Sequence, residues 1–102
     1  MSGMFDMMKK AQEMQKKLKI AQEELKVAMV TGVAAGGAVE VVMTGTFDVT
    51  KLTIKPSVVD ADDVDTLQDV VMVAVNDAVR KVRDVTESKM NAVTGGLKLP
   101  GM

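Results

Sequence analysis

The chain has 102 residues, room for one domain with a modest core. Its 13 basic and 14 acidic residues nearly cancel, so an anionic partner has to be met by a local patch. With no Cys and no His, there is no disulfide framework, thiol nucleophile or imidazole, which argues against an enzyme, a metal centre or a bound cofactor.

The first predicted helix covers about residues 4–26, a stretch without Gly or Pro in which helix formers dominate. Met4, Ala11, Leu18 and Leu25 fall on one heptad position, and Met7, Met14, Ala21 and Ala28 on another. Spacings of three and four make an apolar seam that asks for a partner helix. Beside it run Lys9, Lys10, Lys16, Lys17 and Lys19. They offer an anion site or, on the plainer reading, a solvated face paired with its own acids. Asp6 with Lys10, Glu13 with Lys17 and Lys19 with Glu23 have the i,i+4 spacing for such pairs. The opening, MSGMFDMMKK, lacks the leading charge and apolar centre of a signal peptide. No apolar run approaches the ~20 residues of a membrane span. The expectation is a cytoplasmic protein without a membrane partner.

Three strands are predicted next, over about 27–33, 38–44 and 49–55. Gly32 reads as a bulge or a point of close approach. Val39, Val41 and Met43 alternate with Glu40, Val42 and Thr44, and Leu52 and Ile54 alternate with Lys51, Thr53 and Lys55. Short connections favour an antiparallel meander that Pro56 ends. Gly36-Gly37 is read as a turn, because no Gly-Lys-Ser/Thr and no helix follow it.

Asp60, Asp62, Asp63 and Asp65 lack the spacing and closing Glu of a calcium loop. They fit capping and dipole compensation at the start of a second helix, over about 63–93. Leu67, Val71, Ala74, Ala78, Val82 and Val85 make its stripe. Residues 70–75 are apolar on nearly all sides, which predicts burial from several directions. Arg80, Lys81, Arg83 and Lys89 follow, with Asp77 placed to pair with Lys81, Arg80 with Asp84 and Arg83 with Glu87. Gly95-Gly96 stops the helix, and residues 95–102 are expected to be a mobile tail.

Helices of about 23 and 30 residues reach roughly 35 and 45 Å, whereas a compact chain of this length has a radius of gyration of only ~13 Å. The two helices therefore project together beyond the sheet, seam against seam. Adjacent Val41 and Val42 put apolar side chains on both sheet faces. A second copy would cover what one pair of helices cannot, so a symmetric homodimer with two prongs is expected.

Several pieces in order carry a resemblance. They are Met8-Lys9-Lys10-Ala11-Gln12-Glu13-Met14-Gln15-Lys16-Lys17, Val30-Thr31-Gly32, Gly37-Ala38-Val39-Glu40-Val41, Ile54-Lys55-Pro56-Ser57-Val58-Val59, Asn76-Asp77-Ala78 before Arg80-Lys81, and Lys89-Met90. The ending Gly95-Gly96-Leu97-Lys98-Leu99-Pro100-Gly101 completes them. Over nearly its whole length, 1–102, the chain resembles the YbaB/EbfC family of bacterial nucleoid-associated proteins as a single domain. One departure is Lys55, where the family often has an acidic residue.

The resemblance implies an α+β fold of order α-β-β-β-α, a tweezer-like homodimer, DNA as partner and a place on the nucleoid. It implies effects on nucleoid organisation or gene expression. It points to Lys9, Lys10, Lys16, Lys17, Lys19, Arg80, Lys81, Arg83 and Lys89 as the DNA-contacting residues. With Phe5 and Phe47 as the only aromatics, contact through phosphates and a weak or shape-based sequence preference are expected. The alternative is a structural or adaptor protein whose Met-rich prongs grip another protein.

Overall fold

A computed structural model describes residues 3–95. The elements are α1 (Gly3–Val27), β1 (Met29–Ala34), β2 (Val39–Thr44), β3 (Val49–Ile54) and α2 (Val64–Thr94). The expected order α-β-β-β-α is observed, with an antiparallel sheet of strand order β1-β2-β3. The first helix runs through Val27, so the first strand begins at Met29, two residues later than expected. Asp63 caps α2 by accepting from the Thr66 amide at 3.3 Å and the Thr66 hydroxyl at 2.7 Å. Gly95 closes α2 in the left-handed conformation, its N–H donating to the Asn91 carbonyl. The expected mobile tail lies, beyond Gly95, outside the described residues.

Alternation along β2 turns Val39, Val41 and Met43 toward α2, where they are buried with Ala34, Ala74, Ala78 and Val82. Small residues on α2 let it lie directly on the sheet. Gly32 is the close-approach point: a Cβ there would collide with the Ala74 carbonyl and the Ala78 amide. The irregularity in the sheet falls elsewhere, between Val42 and Met43.

The two sheet edges differ. Ladder alternation turns the backbone groups of Thr31 and Val33 away from β2, toward the open side of β1. There the Val33 amide donates to Asp77 Oδ2 at 2.9 Å, and the Thr31 carbonyl accepts from Lys81 Nζ at 2.7 Å. Side chains of α2 thus cover this edge. On β3 the ladder bond from the Lys55 amide to the Ala38 carbonyl, 2.8 Å, sets the opposite phase. The backbone groups of Leu52 and Ile54 therefore face outward. Leu52 shares its sheet face with Val41 yet remains 49 % exposed, because α2 packs on β1 and β2 and leaves β3 open.

Beyond the sheet, α1 and the C-terminal half of α2 make a prong. Its base is fixed where the Gly45 amide donates to the Ala28 carbonyl at 3.0 Å. A Cβ at Gly45 would strike the Leu25 backbone. Ala21 and Leu25 are buried, and Lys89 Nζ meets Glu24 Oε2 at 2.6 Å. The radius of gyration is 19.5 Å and the long axis 75 Å, consistent with a projecting prong.

Two expectations need correction. The seam does not pack along its whole length. Pairing Glu24 with Lys89 in an antiparallel arrangement brings the end of α2 level with about Leu18, so α1 continues alone and Met7 is 72 % exposed. Residues 70–75 are not buried on all sides either. Ala74 is buried, but Met72 and Val73 point away from the core.

Candidate nucleic-acid interface

The prong is basic because α1 carries exposed lysines along its length, Lys17 among them at the groove between α1 and α2. Lys9 and Lys16, Lys10 and Lys17, and Lys19 and Lys26 each lie seven residues apart. Seven residues are close to two helical turns, so each pair stands on one side of the helix about 10.5 Å apart. All six are exposed. Among the described residues none of them is in an ion pair, and the anticipated i,i+4 partners Asp6, Glu13 and Glu23 do not close on them. Helix propensity and heptad spacing are enough to place these charges. Lys26 was not singled out from sequence, although its spacing from Lys19 carries the same signal as the other pairs.

The α2 cations are arranged differently. Arg80 reaches Asp77 Oδ1 at 2.7 Å, and Lys81 reaches Asp77 Oδ2 at 3.1 Å. Lys81 also donates to Thr31, and Lys89 holds Glu24. The anticipated Asp77–Lys81 pair is present, whereas Arg80 turns to Asp77 instead of Asp84. Arg83 is exposed without an ion pair among the described residues. Of the nine residues that the sequence singles out, Arg80, Lys81 and Lys89 therefore have structural partners. The five on α1 and Arg83 have none among the described residues. Arg80 and Lys81 sit beside the β1 edge, apart from the α1 lysines, while Lys89 lies within the prong.

Asp77 is the electrostatic centre of the β1 edge. The Val33 amide, with Lys81 and Arg80 beside it, holds its carboxyl down at about 2. The clamp is therefore charged at neutral pH.

No helix among the described residues is long and apolar enough to cross a membrane. Among those residues no group of three or more acidic side chains is gathered to hold a metal ion.

Comparison with known proteins gives a consistent result. The model of the YbaB/EbfC DNA-binding family matches residues 1–97. A nucleoid-associated protein of Chloroflexus aurantiacus is 49 % identical over 92 residues, which cover 90 % of this chain and 92 % of that one. A nucleoid-associated protein of Acetivibrio thermocellus is 47 % identical over 98 residues, covering 95 % and 87 %. A crystal structure of an uncharacterized protein from Helicobacter pylori superposes with a TM-score of 0.61 at 27 % identity, covering 82 % of this chain and 94 % of that one.

Proposed function

The chain belongs to the YbaB/EbfC DNA-binding family, and from that premise we propose that it works as a homodimeric, nucleoid-associated protein whose prongs grip DNA through phosphate contacts. The observation that carries this reading is the charge of α1 ahead of Ala21 and Leu25, its buried residues at the base of the prong. Up to Lys19 it holds five lysines against Asp6 and Glu13, and the lysines are without ion-pair partners among the described residues. Lysines on a rigid, projecting helix neutralise phosphates and release counterions without reading base edges. Lys9, Lys10, Lys16, Lys17 and Lys19 make the main contact. Arg83 joins them, and Arg80, Lys81 and Lys89 contribute at the flank of α2 while holding their structural partners.

The open β3 side is the dimer surface in this reading. Leu52 lies there, exposed, beside outward-facing backbone groups that a second copy would cover. The protein resides with the nucleoid and acts on its organisation or on gene expression.

Reversing Lys9, Lys10, Lys16 and Lys17 to Glu tests the reading. Fluorescence anisotropy with a labelled duplex should show binding lost while light scattering still reports a dimer. Undiminished DNA binding by the reversed protein would refute phosphate contact through α1.

One observation favours a second reading. The exposed seam of Met4, Met7 and Met14 is the kind of surface an adaptor uses to bind a partner helix. A protein partner that copurifies and is lost on Met7→Lys, with no DNA retained at physiological salt, would establish that reading instead.

A further inference from the structure

The turn between β2 and β3 holds a feature that its hairpin role does not require. Phe47 adopts φ 65, the left-handed region that bulky side chains avoid. Three-residue hairpin turns place Gly or Asn at this position, which relieves the crowding. The backbone around Phe47 is fixed in place. The Phe47 amide donates to the Thr44 carbonyl at 3.0 Å, and the Thr44 amide donates to the Asp48 carbonyl at 2.9 Å. The Thr46 hydroxyl donates to Asp48 Oδ2 at 3.0 Å, and the Asp48 amide donates to Thr44 Oγ1 at 3.2 Å. The network does not bury Phe47, which stays 48 % exposed as a residue. A strained residue held rigidly with its apolar side chain in water points to a contact outside the chain.

The neighbouring surface indicates what that contact is. Gly45 and Thr46, on the same turn, line a groove of about 400 Å³ together with Lys19 and Lys26 of α1. Glu23 is the acid in its lining, so cations outnumber it. Both lysines are without ion-pair partners among the described residues. Close packing of Gly45 on Leu25 fixes the turn against the base of the prong. Phe47 follows Thr46 in the chain, so an aromatic residue adjoins a groove with two lysines that have no ion pair among the described residues, a pattern that matches a nucleic acid, which presents base faces and edges within a rail of phosphates.

We infer that the β2–β3 turn is a second DNA contact at the base of the prong, with Phe47 touching the bases and Lys19 and Lys26 holding the flanking phosphates. The inference rests on the proposed DNA function and adds to it an aromatic contact at the base of the prong that can sense base stacking or step flexibility. It gives a chain poor in aromatics a source of shape preference.

Phe47→Trp supplies the test, because the chain has no Trp or Tyr and the new indole is the sole such fluorophore. Titration with an unlabelled duplex should quench its emission in step with binding followed by anisotropy. Phe47→Ala should weaken binding about tenfold, the order of one lost aromatic–base contact, with an unchanged circular dichroism melt as the folding control. Binding by anisotropy without quenching, and with wild-type affinity for Phe47→Ala, would overturn this contact while leaving the α1 reading intact. Emission that shifts with protein concentration in the absence of DNA would assign the ring to contact between copies and overturn it equally. Wild-type protein that binds no duplex at all would remove both readings.

Discussion

Asp77 ties α2 to the β1 edge through one carboxylate, which accepts from the Val33 amide and meets Lys81 and Arg80. Those partners favour its charged form and lower its pKa from 3.8 to about 2 in the folded chain. A depressed folded value means that the stabilisation is full above about 4 and is lost as pH falls through about 2. Acid unfolding followed by circular dichroism should therefore show a limb in that window, and Asp77→Asn should flatten the limb and lower the melting temperature at neutral pH. An acid limb unchanged in the variant would show that the clamp contributes nothing. Only part of this was legible in the sequence. The i,i+4 spacing exposed the Asp77–Lys81 pair. Nothing local could show that Lys81 also reaches Thr31, 50 positions away, because that contact depends on how α2 crosses the sheet.

At the scale of elements, α2 lies close to β1 because Gly32 has no side chain beneath Ala74 and Ala78. Gly32→Ala should force the two apart and destabilise the fold by about 1–3 kcal/mol, read as a lower denaturation midpoint at constant slope. The seam of α1 divides into two halves with different energetics. Leu25 is buried at the base of the prong, so Leu25→Ala should cost about 2–3 kcal/mol. Met7 is exposed beyond the end of α2, so Met7→Ala should change stability by no more than about 0.5 kcal/mol. Equal losses at both positions would contradict a prong that is packed only at its base. Heptad spacing revealed one continuous seam but not where its partner ends. That limit comes from the antiparallel offset marked by Glu24 and Lys89, a tertiary property. Strand alternation made Val39, Val41 and Met43 legible as core. The exposure of Met72 and Val73 was not legible, since an apolar run alone does not tell what covers it.

For the whole molecule, helix length against domain size anticipated an extended shape, and the long axis of 75 Å agrees. Length and pattern also left an apolar remainder, which the structure locates on the open side of β3 around Leu52. If that side is the dimer surface, Leu52→Glu should halve the mass measured by light scattering while the circular dichroism spectrum stays native. A dimer that survives this change would place the interface elsewhere. The basic residues were legible as a set, but not their division of labour. Three of the nine bind carboxylates of this chain, while α1 holds its lysines apart from any ion pair among the described residues. Phosphate contact through those lysines is the central claim, and its most direct test is the salt dependence of DNA binding by the unmodified protein. At ~0.9 per neutralised phosphate, the five lysines of α1 up to Lys19 give a slope of about −4.5 in a plot of log affinity against log salt. The account predicts a linear fall at least that steep, and an affinity indifferent to salt would contradict it.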